Sequence, residues 1–106
     1  MFYTFSQNNS GGHFDNNNKV CQFVIIEADN ANEANKIAED IGIYFYGVED
    51  GIDCDCCGDR WCPADKYDGK EFPAYYGSPV EDYFTESVGV TSCRVYYKNG
   101  VVKNLG

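Results

Sequence analysis

Four of the six cysteines crowd into one short acidic stretch, Asp53-Cys54-Asp55-Cys56-Cys57-Gly58-Asp59-Arg60-Trp61-Cys62. Cys54 and Cys57 form C-x-x-C followed by glycine. That is the form of a zinc knuckle: a tight turn aims two thiolates at one ion, and the glycine relieves the strain of the turn. A structural zinc site usually takes four ligands. Adjacent Cys56 and Cys57 cannot easily face one ion, and no second C-x-x-C pair lies at a distance. The best set is therefore Cys54, Cys57 and Cys62, with His13 or an aspartate as the fourth ligand. The alternative is a turn of reduced thiols without metal.

Two other chemistries fit this stretch less well. A nucleophilic or redox-active thiolate needs positive charge or a helix N-terminus beside it. Here Asp53, Asp55 and Asp59 surround the thiols, and negative neighbours raise thiol pKa values. Asp53, Asp55 and Gly58 occupy the first, third and sixth places of an EF-hand-like loop. The twelfth place, which needs a bidentate glutamate, holds Ala64. Cys21 and Cys93 lie in β-prone segments and read as small buried core residues.

The loop around Asn8, Asn9, Ser10, Gly11, Gly12 and His13 is dense in small hydrogen-bonding groups, with glycines that let backbone approach a ligand. It reads either as an exposed turn or as a ligand-binding loop. Arg60 and Arg94 could meet phosphates, and Trp61 adds to an aromatic stock suited to base stacking. One histidine, no G-x-S-x-G and no phosphate-binding Gly-Lys loop leave no catalytic set to assemble. An enzyme relying on Cys57 or His13 ranks last among the readings.

Charge narrows the partners. Seventeen Asp and Glu against eight Lys and Arg give a formal net charge of −9. That disfavours direct nucleic-acid binding, which needs clustered cations, and suits solubility or a basic protein partner. No stretch approaches the roughly 20 apolar residues of a membrane span. The first ten residues lack the features of a signal peptide, so the expected compartment is the cytoplasm, where thiols stay reduced or metal-bound. Nine tyrosines and seven phenylalanines serve either half-buried sheets or a tyrosine-lined binding face.

The elements that must position these groups follow from pattern. Residues 1–5 and 20–28 read as strands, the second central because of its continuous β-branched run. A helix follows. Asn30 and Glu33 make a capping box, Ala34, Ile37, Ala38 and Ile41 make one apolar stripe, and Gly42 is placed to end it. Residues 43–48 read as a returning strand. Residues 49–79 show no lasting period, and residues 79–87 suit a short helix with Pro79 at its first position. Residues 91–105 form a hairpin around Asn99-Gly100, the preferred type I′ pair. The expected fold is a single α+β domain over residues 1–106. It has one antiparallel or mixed sheet of about five strands, one main helix packed on it, and an irregular insert that carries the cysteines.

Four segments together resemble a family of small proteins of unknown function encoded by tailed bacteriophages and prophages. They are the opening Met-Phe-Tyr-Thr-Phe-Ser-Gln-Asn-Asn-Ser-Gly-Gly, residues 24–31 (Val-Ile-Ile-Glu-Ala-Asp-Asn-Ala), Cys54 through Trp61, and the closing Val95-Tyr96-Tyr97-Lys98-Asn99-Gly100. Members carry C-P-C-C-G-D-R-W, and here Asp55 stands in place of the proline. Cys21, Cys62 and Cys93 lie outside that pattern. The resemblance implies a phage accessory protein in the cytoplasm of the bacterial host. Such a protein would counteract a host defence system by docking on a host or phage protein. The alternative is a sponge that sequesters a nucleotide-derived immune signal, and sponges tend to be oligomers with sites between subunits.

Overall fold

The strand formed by Phe23–Glu27 (β2) is buried along nearly its whole length. It can be so because the sheet is covered on both faces. A computed structural model describes residues 1–8, 14–53, 58–85 and 91–106. Its elements are β1 (Phe2–Ser6), β2, α1 (Ala31–Asp40), β3 (Ala74–Tyr75), β4 (Ser78–Pro79), a 3-10 turn (Val80–Asp82), β5 (Cys93–Tyr96) and β6 (Val102–Leu105). The main sheet has the order β1-β2-β5-β6, and β3 and β4 form a small ribbon of their own. β1 runs antiparallel to β2, β2 parallel to β5, and β5 antiparallel to β6. The architecture is α+β, with one mixed four-stranded sheet and a single main helix.

A parallel pair needs a long crossover, because the chain must return to the end of the sheet where it began. The crossover from β2 to β5 supplies the cover for both faces. Side chains alternate along β2, so Val24 and Ile26 point one way and Phe23 and Ile25 the other. Val24 and Ile26 join Tyr3, Phe5, the α1 alanines, Ile43 and Trp61 in one cluster. Phe23 and Ile25 join Val80, Cys93, Val95 and Leu105 in a second, against which Phe2, Tyr75, Phe84 and Tyr97 pack.

α1 forms where the sequence places it. Asn30 Oδ1 accepts from the Glu33 N–H at 2.8 Å. The returning glutamate arm reaches one residue further back, accepting from the Asp29 N–H at 3.3 Å. Ala31, Ala34 and Ala38 are buried, which lets the helix lie close on the sheet. Gly42 takes φ +102°. Its N–H donates to the Glu39 carbonyl, and that of Ile43 to the Ala38 carbonyl. These two bonds and the left-handed glycine are a Schellman ending.

Four expectations need correction, the last of them in the closing hairpin. Residues 43–48 form no strand. Tyr46 turns to φ +60°, and the Gly47 carbonyl accepts from the N–H groups of Ile52 and Asp53. A Cβ on Gly47 would overlap the Asp53 carboxylate, so a buried polar contact displaces the ladder there. The stretch 49–79, expected to be irregular, contains the whole β3–β4 ribbon. The expected helix at 79–87 is a single 3-10 turn among the described residues, with Pro79 ending β4.

The last hairpin forms, but not with a type I′ turn. Only Gly100 of its loop has positive φ, at +89°. Its N–H donates to the Tyr97 carbonyl, and the Tyr97 N–H donates to the Val101 carbonyl. That is a type I turn followed by a left-handed glycine, the usual three-residue hairpin loop. Asn99 Oδ1 accepts from the Val101 N–H at 3.0 Å, a side-chain turn that holds Asn99 at negative φ.

Candidate functional site

The sequence candidates divide by where they sit. Asn9, Ser10, Gly11, Gly12, His13, Cys54 and Cys57 lie outside the described residues. Asn8 and Cys62 are exposed, whereas Trp61, Arg60 and Arg94 are buried. Trp61 is a core side chain of the helix-side cluster. Cys62 follows it, and Ala64 is then tied to α1 by two hydrogen bonds with the Asn35 amide. Among the described residues, no three His, Cys, Asp or Glu side chains converge on a point that could hold a metal ion. Cys62 is a free thiol, and Cys21 and Cys93 are free and buried. Burial raises the pKa of both buried thiols, that of Cys93 to about 12.

Arg60 is the centre of a buried polar hub. Its backbone N–H donates to Asp53 Oδ2 at 2.7 Å. Its Nε donates to the Tyr44 hydroxyl at 3.1 Å, and its Nη1 to Gln7 Oε1 at 2.9 Å. The Tyr44 hydroxyl donates to Asp53 Oδ1 at 2.9 Å. Burial, followed by the Asp53 hydrogen bond, raises the Tyr44 pKa. Gln7 Nε2 donates to the carbonyls of Asp15 and Cys21 at 3.0 and 3.1 Å, and Gln7 Oε1 accepts from the Asp15 N–H. The Asp15 carboxylate lies 3.4 Å from Arg60 Nε.

The hub joins Asn8 and Arg60, two of the candidates. The Asn8 N–H donates to the Arg60 carbonyl at 2.8 Å, and its side-chain amide reaches the Asp59 carbonyl at 3.4 Å. Residues 7–8, 15, 53 and 59–60 are therefore fastened to one another. Gly58, immediately after Cys57, takes φ +84°, the left-handed turn that glycine makes at no steric cost. Arg94 is held separately, donating to Asn104 Oδ1 at 2.7 Å and to the Asn17 carbonyl at 2.9 Å. Both guanidinium groups are thus engaged inside the protein. No buried side-chain nitrogen or oxygen among the described residues lacks a partner.

The opposite face of the sheet presents a different surface. The β3–β4 ribbon turns through Tyr76 and Gly77, at φ +49° and +82°. Positive φ at both central residues makes this a type I′ turn, where asparagine or glycine is the usual first residue and a tyrosine is out of place. Tyr76 is 85% exposed. Its ring stands edge-on to Tyr75 at 4.4 Å between centroids, and Tyr75 meets Tyr83 at 5.0 Å and Phe84 at 5.3 Å. Glu81 and Asp82 are exposed beside Tyr83. Phe84 also lines a cavity of about 690 Å³ with Glu81, Thr85, Val102, Lys103, Asn104 and Leu105.

Pattern reading missed Tyr44, Asp53 and Gln7 as hub residues, and Tyr76 and Tyr83 as surface. The Tyr76-Gly77 pair between two short β-prone arms was the available signal for the ribbon. No helix among the described residues is long and apolar enough to cross a membrane.

Comparison with known proteins gives one finding. No curated protein and no solved structure matches the chain. A family model described as a domain of unknown function, DUF7296, matches residues 1–106, and the chain belongs to that family.

Proposed function

We propose that this protein works by docking on a basic protein partner through the aromatic surface built on the β3–β4 ribbon. The observation that carries the reading is Tyr76. A bulky residue in the left-handed region costs conformational free energy and persists only where its surroundings hold it. Here that cost accompanies a side chain that is 85% exposed, so packing in the core is not what it serves. Exposed tyrosines around a tightly packed aromatic centre are the usual anchors of protein interfaces. Glu81 and Asp82 beside them, on a chain of net charge −9, steer a basic surface toward the patch.

The resemblance to phage-encoded proteins makes a protein of the bacterial host, and with it counter-defence in the host cytoplasm, the setting of this proposal. The nucleotide sponge is the weaker reading. Arg60 and Arg94, the two side chains best suited to bidentate phosphate contacts, are buried and bonded to Gln7, Tyr44, Asn17 and Asn104. Zinc at Cys54, Cys57 and Cys62 would be a staple for the same docking domain. Elemental analysis of protein made without chelators tests it, and under a tenth of an equivalent would remove it.

The test of docking is site-specific photo-crosslinking inside bacteria, with a photoreactive amino acid at Asp82, exposed beside Tyr83. The expected result is an adduct with a basic protein that is lost in Tyr76→Ser/Tyr83→Ser. An adduct of equal yield in that double variant, or none at all, would overturn the reading.

A further inference from the structure

Tyr76 borders a cavity as well as the aromatic group. The cavity measures about 290 Å³, and its lining includes Thr4, Asp68, Lys70, Ala74, Tyr76 and Gly77. Its walls are tied together by bonds among described residues. Phe2 and Lys70 exchange two main-chain hydrogen bonds, at 2.7 and 2.9 Å. Thr4 Oγ1 donates to the Ala74 carbonyl at 2.9 Å. The Asp68 N–H donates to the Asp65 carbonyl at 3.0 Å, and Asp68 Oδ2 accepts from the Asp65 N–H at 2.7 Å. β1, the turn at 65–68 and the β3–β4 ribbon therefore fix the shape of the cavity in the free protein.

The walls offer hydrogen-bond acceptors and the face of a ring. In β1 the Met1 carbonyl accepts from the Ala28 N–H, and the Gln7 N–H donates to the Gln22 carbonyl. Odd-numbered residues thus face β2, and Phe2 and Thr4 turn their backbone groups to the other side. Phe2 uses its pair on Lys70. The Thr4 carbonyl accepts no hydrogen bond among the described residues, and Asp68 Oδ1 likewise accepts none. The Tyr75 ring stands at 74° to that of Tyr76, so it covers one face of the Tyr76 ring at most.

We propose that this cavity takes an arginine side chain of the docking partner. The inference rests on the docking reading and names the group that is recognised. A guanidinium is flat, stacks on aromatic faces and presents five N–H donors in a fork. Laid on Tyr76, it would donate to the Asp68 carboxylate and the Thr4 carbonyl. A lysine ammonium is compact and more strongly hydrated, and meets the charge without the stacking or the fork. The chain already holds a cation over an exposed tyrosine, with Lys66 Nζ 5.0 Å from the Tyr67 centroid. Lys70 is the one cation among the described lining residues. Its side chain is exposed, and its long stem lets the ammonium turn to solvent. A second copy of the chain cannot supply the arginine. Arg60 and Arg94 are its two arginines, and both are buried and bonded within the fold.

The probe is the acetylated, amidated peptide Arg-Ser-Arg-Ser-Arg, titrated into the full chain and followed by NMR. Two comparison peptides carry lysine or citrulline in place of arginine. The expected shifts centre on Thr4, Asp68, Tyr76 and Gly77, and the ring current moves the arginine δ-methylene signals upfield. The lysine peptide should bind about threefold more weakly, and the citrulline peptide should not bind. Tyr76→Leu keeps the bulk and the left-handed strain but removes the ring. It should abolish the upfield shift and weaken the arginine peptide about threefold, whereas Tyr76→Phe should preserve both. Asp68→Asn should weaken the peptide and Lys70→Gln should tighten it. Glu39→Gln, the same charge change as Asp68→Asn but on α1 across the sheet, should do neither. If a variant folds poorly, the three peptides on the unaltered chain carry the test.

Equal affinity for the arginine and lysine peptides, or shifts centred on Tyr83 and Asp82, would overturn the arginine site. So would shifts spread over the whole acidic surface, or an unchanged spectrum. The Asp82 crosslink is read separately: an adduct lost in Tyr76→Ser/Tyr83→Ser would keep the docking reading while the arginine site falls. An adduct undiminished in that variant would remove the docking reading and this inference with it.

Discussion

The two faces of the sheet are built on different terms. On the helix side, small alanines of α1, the aliphatic residues of β2 and the Trp61 indole close over the strands, and the Arg60–Asp53 hub fastens the loops around them. On the other side, Phe23, Ile25, Val80 and Val95 are sealed, but the aromatic layer above them stops at the surface with Tyr76 and Tyr83 56% exposed or more. The first face uses its polar groups internally. The second leaves rings and carboxylates exposed. A domain of this size has little core to spare, so the contrast separates a face closed by its own side chains from one that leaves rings exposed, and the docking proposal rests on the second.

The largest expected effect tests the closed face. Trp61→Ala should cost about 4 kcal/mol of unfolding free energy in urea, since a fully buried ring is replaced by a cavity. A loss under about 1 kcal/mol would show that the indole is not a keystone of that face.

Arg60→Met comes next. Arg60 Nε lies 3.8 Å from the buried Asp53 Oδ1, and removing one partner from a buried ion pair leaves the other charge without compensation, at about 3 kcal/mol. Restoring neutrality in Arg60→Met/Asp53→Asn should recover part of that loss, and the same denaturation series reads both. Additive losses would mean that the two side chains do not act as a pair.

Alkali probes the sealed floor of the open face. The folded Cys93 thiol is pushed up to about 12, first by burial and then by Cys21, against an ordinary value of 9.0. Above pH 9 the unfolded thiol ionises while the folded one does not, so the unfolded state binds fewer protons and stability falls as pH rises toward 12. The melting temperature should fall accordingly across that range, and Cys93→Ala should flatten part of the decline. An identical slope in the variant would assign it to other groups.

The smallest effect has the opposite sign. Tyr76→Asn puts a residue suited to the left-handed turn in place of one that is not, and should raise stability by about 0.5 kcal/mol after the lost ring contact with Tyr75 is counted. The same variant should weaken the crosslink. A change that stabilises the fold and reduces binding is the signature expected of a residue kept for its surface.

Much of the frame was legible because its signals are local. Asn30, Glu33 and Gly42 mark the ends of α1, and the alanine and isoleucine spacing marks its buried side. The β-branched run within residues 20–28 marks a central strand, while the structure decides that both of its faces are covered. Residues 43–48 misled for the same reason: Ile-Tyr-Phe-Tyr has strand composition, and nothing nearby shows that Asp53 must lie against Gly47. Asn99-Gly100 marked the hairpin but not its turn, because the Asn99 side chain bonds to Val101 and selects negative φ at that residue.

By itself, then, the sequence determined the fold class, the helix and its caps, the four long strands and the acidic balance, all set by periodicity, propensity and charge within a few residues. Only the tertiary structure decided which polar residues form the hub and which aromatics reach the surface. Gln7 and Arg60 meet across 53 positions of chain, a separation no repeat or motif encodes. Among nine tyrosines of one composition, it is the left-handed turn at Tyr76 and the packing beneath it that send one outward, while Tyr3 is buried against the helix. The strand order is likewise settled by the tertiary structure, when β5 pairs with β2 and with β6.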